Sequence, residues 1–259
     1  MSPILSLPSL RAGISGGAGS SLPVTRGLQL YLDANLTGSY GGSGTAWNDL
    51  SGNGKNFNWN STPTWGNDSG RRYFITSGNL AIGPDSNTFN IDNSTGFTII
   101  QINNQRSNQS SHSFKFFGGT DVNATNSASR GIAPHATWSN GTIYLDTGGC
   151  CNTNQRVQAA PPDTYNSNWR MITFRANQSN NRRDIFAEKS SFVNNTNSMS
   201  NLNLTNRQVH LGGSQEYGNT SSSWDAWLSV FVVYNLALTD SEIGQLYDHF
   251  DTTFNFPYD

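Results

Sequence analysis

One stretch decides the fold: Trp224-Asp-Ala-Trp-Leu-Ser-Val-Phe-Val-Val-Tyr-Asn-Leu-Ala-Leu-Thr-Asp-Ser-Glu-Ile-Gly-Gln-Leu-Tyr-Asp-His-Phe250. Residues 227–234 are almost all apolar or β-branched, a run long enough for one strand and too short for a buried helix. Thr239 and Glu242 then have the spacing of a capping box, which starts a helix. Four apolar residues follow at helical spacing and form one stripe: Ile243, Leu246, Tyr247 and Phe250. We therefore predict a buried strand in the middle of a sheet, followed by a short helix that covers an open edge or end of it.

The composition supports an all-β protein with a neutral, polar surface. The 259 residues are 34% hydrophobic and only 12% charged, so the polarity comes mainly from Asn, Ser, Thr and Gly. Such a mixture disfavours helices and suits short strands joined by many turns. The net charge of −2 offers no electrostatic basis for binding nucleic acid or an anionic membrane. No apolar run approaches the roughly 18 residues of a membrane span.

The remaining pattern predicts about ten or more short strands. Residues 27–33 alternate apolar and polar side chains and form the first strand, and residues 34–65 form a long loop. Further candidate strands have the same alternation or β-branched character: 72–76, 79–82, 97–102, 112–117, 131–138, 142–145, 169–175, 184–188 and 208–211. With no alternation of strands and helices, the fold predicted is an all-β antiparallel sandwich with one short C-terminal helix.

The first residues differ from the rest of the chain. Ile4, Leu5, Leu7 and Leu10 are separated by Ser and Pro, and a Gly/Ser/Ala linker follows at residues 13–21. They lack the basic start and continuous apolar core of a secretory signal. We assign residues 1–26 to an N-terminal arm or linker and residues 27–259 to one domain. The arm is either a disordered tail or a segment whose leucines dock on a neighbouring subunit.

Two motifs at opposite ends of the domain resemble a known family. Gly27-Leu-Gln-Leu-Tyr-Leu-Asp-Ala34 with Ser39-Tyr-Gly-Gly-Ser-Gly-Thr-Ala-Trp-Asn-Asp-Leu-Ser-Gly-Asn-Gly54 resembles the opening of concanavalin A-like, laminin-G-like jelly-roll domains. The closing strand and Asn235-Leu-Ala-Leu-Thr-Asp-Ser-Glu-Ile243 are similar to that family's ending. The opening looks most like versions in structural proteins of tailed phages and large DNA viruses. The resemblance implies a jelly roll over residues 27 to about 250 and leaves function open, since this fold hosts lectins, glycosidases and virion proteins.

Retaining glycosidases of this fold class carry paired acids on one strand, close enough to share a cleft. Asp184-Ile-Phe-Ala-Glu188 is the nearest match, but Phe186 replaces the expected middle acid. We therefore predict a solvated strand face here, and no catalytic residue.

Histidine and cysteine give no catalytic or metal signature. His112, His135, His210 and His249 are scattered and are predicted to be sheet-face or helix residues. Cys150 and Cys151 are adjacent, which excludes an ordinary disulfide between them and leaves incidental, reactive or intermolecular thiols. No pair of histidines or cysteines has metal-ligand spacing, so no metal site is predicted from them.

Carbohydrate binding is a candidate activity, because sugars are recognised by aromatic platforms with neighbouring amides or carboxylates. The candidate site residues are loop aromatics and one amide: Trp59, Trp65, Trp138, Tyr217, Trp224 and Asn219. Asp68, Asp121, Asp146 and Asn219 are candidate oxygen ligands for Ca²⁺, which is the one cofactor considered. Asp49, by contrast, is predicted to bond the amides of its own turn.

The leading functional hypothesis is a non-enzymatic virion structural protein, part of a capsid or tail. It would be displayed on the virion surface and bound to other virion proteins through residues 1–22. Host glycans and further copies of the chain are additional candidate partners. The alternative is a lectin-like, carbohydrate-binding module of a secreted or cell-surface protein. A glycoside hydrolase is the third hypothesis. Neither nucleic acid nor membrane is expected as a partner.

Overall fold

A computed structural model describes residues 21–118, 130–149, 152–161, 166–199, 201–213 and 224–257. In these residues, two antiparallel sheets of eight strands each pack face to face, and one α-helix follows the last strand. The predicted all-β antiparallel sandwich with a C-terminal helix is confirmed. No helix in the described ranges combines the length and the apolar character needed to cross a bilayer.

The first sheet has the strand order β14-β13-β12-β7-β16-β5-β4, with β1 also paired to β16. Its strands are β1 (Leu28–Asp33), β4 (Trp65–Asp68), β5 (Arg71–Ile75), β7 (Phe97–Gln105), β12 (Trp169–Asn177), β13 (Arg182–Ala187), β14 (Ser190–Asn195) and β16 (Ala226–Tyr234). β16 pairs with β7 along one edge and with β1 and β5 along the other. The closing strand therefore lies inside a sheet, as predicted.

The second sheet has the strand order β11-β10-β9-β8-β15-β6-β3-β2. Its strands are β2 (Ala46–Trp47), β3 (Phe57–Trp59), β6 (Ala81–Asp85), β8 (Phe114–Phe117), β9 (Arg130–His135), β10 (Ile143–Thr147), β11 (Arg156–Ala159) and β15 (Gln208–Leu211). The prediction of one loop over residues 34–65 is wrong, because β2 and β3 lie within it. Strands of two and three residues are too short to show an alternating pattern. β11 and β14 were also missed, because both are polar edge strands.

The core between the sheets is rich in aromatic rings. Trp47 stacks on Trp59 with ring centroids 5.9 Å apart and planes 16° apart, and Phe74 of the opposite sheet contacts both indoles. Both tryptophans come from the two short strands of the opening stretch, which explains why residues 34–65 fold against the sandwich. Asp49 accepts hydrogen bonds from the backbone amides of Ser51 and Lys55, so its predicted role in the turn is confirmed.

The helix α1 (Asp240–Phe254) begins with the predicted capping box. The Thr239 hydroxyl accepts a hydrogen bond from the Glu242 amide, and the Glu242 carboxylate accepts one from the Thr239 amide. The predicted apolar stripe is buried, and Phe254 extends it by one further residue. The helix packs on the outer face of the first sheet, so the prediction that it covers an edge or end is wrong. Side chains on that face are also apolar, as Ile100 and Val232 are, and need a cover.

The described chain starts with residues that belong to this outer cluster. Leu22 and Val24 are 3% and 5% exposed and pack with the strand residues under the helix. The Tyr234 hydroxyl donates a 2.9 Å hydrogen bond to the Val24 carbonyl. Part of the stretch assigned to the arm is therefore packed on the sandwich. The four arm residues, Ile4, Leu5, Leu7 and Leu10, lie outside the described residues.

Candidate functional site

The outer face of the second sheet carries polar side chains that the sandwich nevertheless buries. Strand side chains alternate between faces, and the inward positions of this sheet are apolar, as Phe116 and Leu145 are. Outward positions of β15, β8, β9, β10 and β11 follow one another across the sheet in that strand order: His210, Lys115, Ala133, Asp146 and Arg156. Lys115 is 1% exposed and Asp146 is fully buried. Buried charges such as these require compensating partners.

The charges of this face are held by close contacts. Arg156 donates from Nε and Nη2 to the two oxygens of Asp146, at 2.6 and 2.7 Å. The Lys115 ammonium lies 4.7 Å above the ring of Phe117. Burial lowers the pKa of His210 to about 4, with a further contribution from the charge of Lys115. His210 is therefore neutral at pH 7.

An imidazole and aromatic group adjoins the Asp146–Arg156 pair. The His135 ring stacks on His112 with centroids 4.2 Å apart, and meets Trp138 and Tyr144 edge to face at 4.6 and 5.9 Å. The Arg156 guanidinium lies 4.4 Å above the Tyr144 ring. Trp138 and Tyr144 are partly exposed, whereas both histidines are buried. The group thus presents two aromatic rings at the surface over two buried imidazoles.

A cleft of about 350 Å³ lies beside this group, where edge strand β11 of the second sheet approaches edge strand β14 of the first. Four of its six polar lining residues are amides, namely Asn152, Gln158, Asn194 and Asn195; the other two are Thr153 and Arg156. Gln158 pairs with Tyr144 across β10 and β11, so the cleft and the surface aromatics are neighbours. Amide groups both donate and accept hydrogen bonds, which suits them to hydroxyl-rich ligands.

Arg183 ties the walls of this cleft together. Its fully buried side chain donates from Nη2 to the Thr153 carbonyl at 2.8 Å and to the Asn195 side chain at 3.4 Å. A third acceptor is the Asn197 carbonyl, at 3.3 Å. Burial lowers the pKa of Arg183, yet an arginine keeps its proton in proteins. A positive charge held by three neutral oxygens therefore lies behind the cleft.

The structure does not bring the predicted sugar-site residues together. Trp138 lies at the site just described, whereas Trp65 is 41% exposed on edge strand β4 of the other sheet. Trp59 and Trp224 are core residues, 3% and 1% exposed, so the prediction of a loop platform is wrong for these two side chains. Both indoles are needed to fill the sandwich interior. Tyr217 and Asn219 lie outside the described residues.

The oxygen ligands predicted for Ca²⁺ are also separated. Asp68 lies on the first sheet, where it accepts a 2.8 Å hydrogen bond from Nε1 of Trp169. Asp146 lies on the second sheet and is engaged by Arg156. Asp121, like Asn219, falls outside the described residues.

The acidic pair on β13 is not on a solvated face, so that prediction is wrong. Asp184 is fully buried and lies 2.7 Å from Nε of Arg175 and 2.9 Å from Nε of Arg182. Glu188 follows the strand, is 4% exposed and lies 3.5 Å from Nη1 of Arg170. Burial raises the pKa of Glu188 to about 8. The outward face of β13 is covered rather than solvated, so Asp184 is paired with arginines and Glu188 keeps its proton at neutral pH.

A second cleft, of about 280 Å³, opens at the start of α1 between Arg175, Arg182 and Asp240. Arg175 donates 2.7 Å hydrogen bonds to Asp240 and to the carbonyl of Leu238, besides pairing with Asp184. The two arginines are thus balanced by two aspartates, and the cleft carries no net charge that would attract an anion.

No family model matches the sequence, and comparison with curated proteins gives no match. Solved structures do share the sandwich. The binding domain of Paraclostridial Mosquitocidal Protein 1 superposes with a TM-score of 0.60 at 16% identity, over 86% of this chain and 52% of that one. The receptor binding domain of botulinum neurotoxin C/D mosaic serotype gives 0.60 at 13% identity, over 87% and 52%. A trans-sialidase-active mutant of Trypanosoma rangeli sialidase gives 0.59 at 14% identity, over 88% and 34%.

The fold and the comparisons together define an all-β sandwich domain. The chain spans about half of each toxin domain and about a third of the sialidase. At these identities the similarity establishes the fold alone. The laminin-G-like resemblance and its viral variety remain predictions.

Trp138 and Asp146 were each predicted as binding residues from the sequence, but the residues that surround them in the folded site were not predicted. His135, Tyr144 and Arg156 join them through pairing across β9, β10 and β11. Residues matched by strand pairing have no fixed spacing along the chain, so no motif marks them.

Proposed function

We propose that this chain is a non-enzymatic glycan-binding domain whose binding site is the cleft between β11 and β14. The observation that carries the proposal is the concentration of amide side chains in this cleft, next to the partly exposed rings of Trp138 and Tyr144. Protein sugar sites combine an aromatic surface with a few convergent polar groups. Both parts are present on neighbouring strands.

The polar groups of the cleft are arranged to reach a ligand. Gln158 and Asn194 are exposed on facing edge strands, so their amides are available from both walls. Arg183 fixes the wall residue Asn195 from behind and places a positive charge there. A positive charge beneath a neutral, amide-lined cleft favours sugars that carry a carboxylate. The ligand class is therefore an oligosaccharide, with acidic sugars preferred.

The absence of an enzymatic role is part of the proposal. Asp184 is held by two arginines, which leaves its carboxylate committed to ion pairs. Glu188 lies under α1 against Arg170, on the far side of the first sheet from the amide cleft. Neither acid lines the cleft, so neither is positioned to protonate a glycosidic oxygen there.

The test of glycan binding is a broad array probed with the purified full chain, followed by titration calorimetry with the best glycan. Each array is run with and without Ca²⁺. The double variant Gln158→Ala, Asn194→Ala should weaken binding roughly tenfold, because each loses hydrogen bonds worth about 0.5–1.5 kcal/mol. Trp65→Ala, which removes an exposed aromatic ring from another edge, is the matched control and should bind normally.

Two outcomes would contradict this assignment. Silence across a broad array, including acidic glycans, argues against glycan binding altogether. Binding that Trp65→Ala abolishes and the double variant retains would move the site to β4.

We further propose that the domain is displayed on a virion, as a capsid- or tail-associated protein tethered by residues 1–22. The support is a surface rich in neutral polar residues and an apolar stretch, Ile4 to Leu10, separated from the sandwich by a Gly/Ser/Ala linker. Because Leu22 packs on the domain, the informative deletion is residues 1–20. The folded, truncated protein should fail to join particles. Normal incorporation would contradict the tether. Absence of the full chain from particles would favour the alternative, a lectin-like module of a secreted or cell-surface protein.

A further inference from the structure

We propose that His112, His135 and Asp146 form a binding site for a divalent transition-metal ion, with Zn²⁺ as the expected occupant. The three side chains come from the stretch before β8, the last residue of β9 and the last but one residue of β10. One ligand atom from each lies within 4.8 Å of the other two, and all three residues are buried. No motif predicts this set, because its members lie 23 and 11 positions apart along the chain.

The tautomer of His135 suits a metal ligand. Nδ1 of His135 lies 2.8 Å from the carbonyl oxygen of Ser111. A carbonyl oxygen only accepts hydrogen bonds, so Nδ1 carries the proton in this contact. Metal-binding histidines commonly donate their second ring N–H to a backbone carbonyl in this way, which leaves the other nitrogen to coordinate. Here that nitrogen is Nε2.

Nε2 of His135 faces an oxygen of Asp146 at a distance that suits two ligands of one ion. The separation between Nε2 and Oδ2 is 3.8 Å, too long for a hydrogen bond. Zinc bonds of about 2.0–2.2 Å at tetrahedral angles place two ligand atoms about 3.4 Å apart. A small side-chain rotation therefore brings these two atoms into range of a shared cation.

The second imidazole has the position of a further ligand. The rings of His112 and His135 are stacked, with centroids 4.2 Å apart and an angle of 25° between their planes. The stacking places the second imidazole beside the first, with a ring nitrogen within reach of the same ion. The partly exposed rings of Trp138 and Tyr144 border His135 on the solvent side.

Arg156 decides which metal the site prefers. Its guanidinium engages both oxygens of Asp146, which orients the carboxylate and offsets its charge. Hydrogen-bonded carboxylates are common in metal sites, but a neutralised one contributes less to binding a hard cation. Most of the affinity must then come from imidazole nitrogen, which suits Zn²⁺ and disfavours Ca²⁺.

The experiment is equilibrium dialysis of the chelator-treated full chain against Zn²⁺, with bound metal measured by mass spectrometry. One equivalent of Zn²⁺ should bind with saturation, and Ca²⁺ should not compete. Co²⁺ in place of Zn²⁺ should give the visible absorption of a low-coordinate, nitrogen-ligated site. His112→Gln and His135→Gln should each weaken Zn²⁺ binding by more than the roughly 10–100-fold that losing an outer-shell partner costs.

Two controls make the result specific. His249→Gln removes a histidine on α1 and should leave binding unchanged. A Cys150→Ser, Cys151→Ser variant should also bind one equivalent, which excludes thiol ligation.

Absence of saturable Zn²⁺ binding to the wild-type chain would overturn the proposal without relying on any variant. Zn²⁺ binding retained by His135→Gln in folded protein, judged by circular dichroism, would overturn it as well.

Discussion

The hydroxyl of Tyr234 donates a hydrogen bond to the carbonyl of Val24, joining the end of the central strand β16 to the first residues before β1. Tyr234 is fully buried, and its contact lies in the apolar cluster that α1 covers. Burial raises the pKa of Tyr234 well above its ordinary value, so the hydroxyl stays protonated and remains a donor at any physiological pH. Residues near 24 are therefore a structural part of the sandwich.

This contact predicts two different results from two truncations. Removing residues 1–20 keeps Leu22 and Val24 and gives the reference value for the free energy of unfolding. Removing residues 1–24 deletes Leu22 and Val24, whose burial is worth about 1.5–3 kcal/mol each, and leaves the Tyr234 hydroxyl without its acceptor. We expect a loss of roughly 4 kcal/mol, measured by urea unfolding. Equal stability of the two truncated proteins would show that these residues contribute nothing.

The capping box predicts the cost of altering the start of α1. Thr239→Ala should lower the free energy of unfolding by about 1 kcal/mol, because the Glu242 amide loses its acceptor. Ser241→Ala is the matched control. Ser241 is exposed, lies two residues after Thr239 in the first turn of α1, and its substitution should be close to neutral. Thermal or urea unfolding measures both. A loss of equal size in the control would show that the effect is not specific to the cap.

Glu242 predicts acid sensitivity of the same helix. Its carboxylate accepts hydrogen bonds from Arg26 and from Thr239. These contacts, with that of Arg26 the largest contribution, lower its pKa from 4.5 to about 2. A depressed carboxyl pKa stabilises the fold above pH 4.5, and that stabilisation is lost as pH falls from 4.5 towards 2. Glu242→Gln should therefore have a shallower decline in stability over this range than the wild type. Parallel declines in urea unfolding would contradict the assignment.

Glu188 predicts the opposite dependence. Burial raises its pKa from 4.5 to about 8, so the folded state holds a proton that the unfolded state releases. Stability contributed by this group is complete below pH 4.5 and is lost as pH rises to 8. Glu188→Gln keeps the acceptor for the Met171 amide and removes the titration. Its stability relative to wild type should increase between pH 5 and pH 8. An unchanged difference across that range would show that Glu188 is ionised throughout.

His210 predicts a third pH effect, on the outer face of the second sheet. Its pKa is lowered from 6.5 to about 4, first by burial and then by Lys115. Between pH 6.5 and pH 4, His210 is protonated in the unfolded state but not in the folded state. The stabilisation from this group is therefore complete above pH 6.5 and is lost as pH falls to 4. His210→Gln should flatten the stability profile in that interval. Identical slopes for the variant and the wild type, measured by urea unfolding, would contradict this.

The strand pattern and capping signals predicted the architecture because they are local. The apolar run of β16 and the Thr239–Glu242 spacing are each complete within ten residues, and both appear as expected. The predicted position of α1 was wrong because a strand buried on both faces has the same apolar sequence whether a second sheet or a helix covers it. β2 and β3 were missed because their stability comes from Trp47 and Trp59 packing across the core.

The candidate site was less predictable than the fold because it is assembled across strands. Arg156 meets Asp146 through the pairing of β10 and β11, and His135 meets Tyr144 through the pairing of β9 and β10. The register of a sheet depends on which strands become neighbours, which one sequence does not reveal. Buried charges were equally hidden: Asp184 looks like a surface acid until Arg175 is placed opposite it.

The first sheet has a consequence for exchange with solvent. The strands β7, β12 and β16 lie side by side, with the sandwich core on one face and α1 with its cluster on the other. Water cannot reach their amides through local fraying, since covered central strands open only when the whole domain does. Deuterium uptake by these three strands should therefore be the slowest in the chain. Its rate would report the global unfolding equilibrium directly, in native buffer and without denaturant.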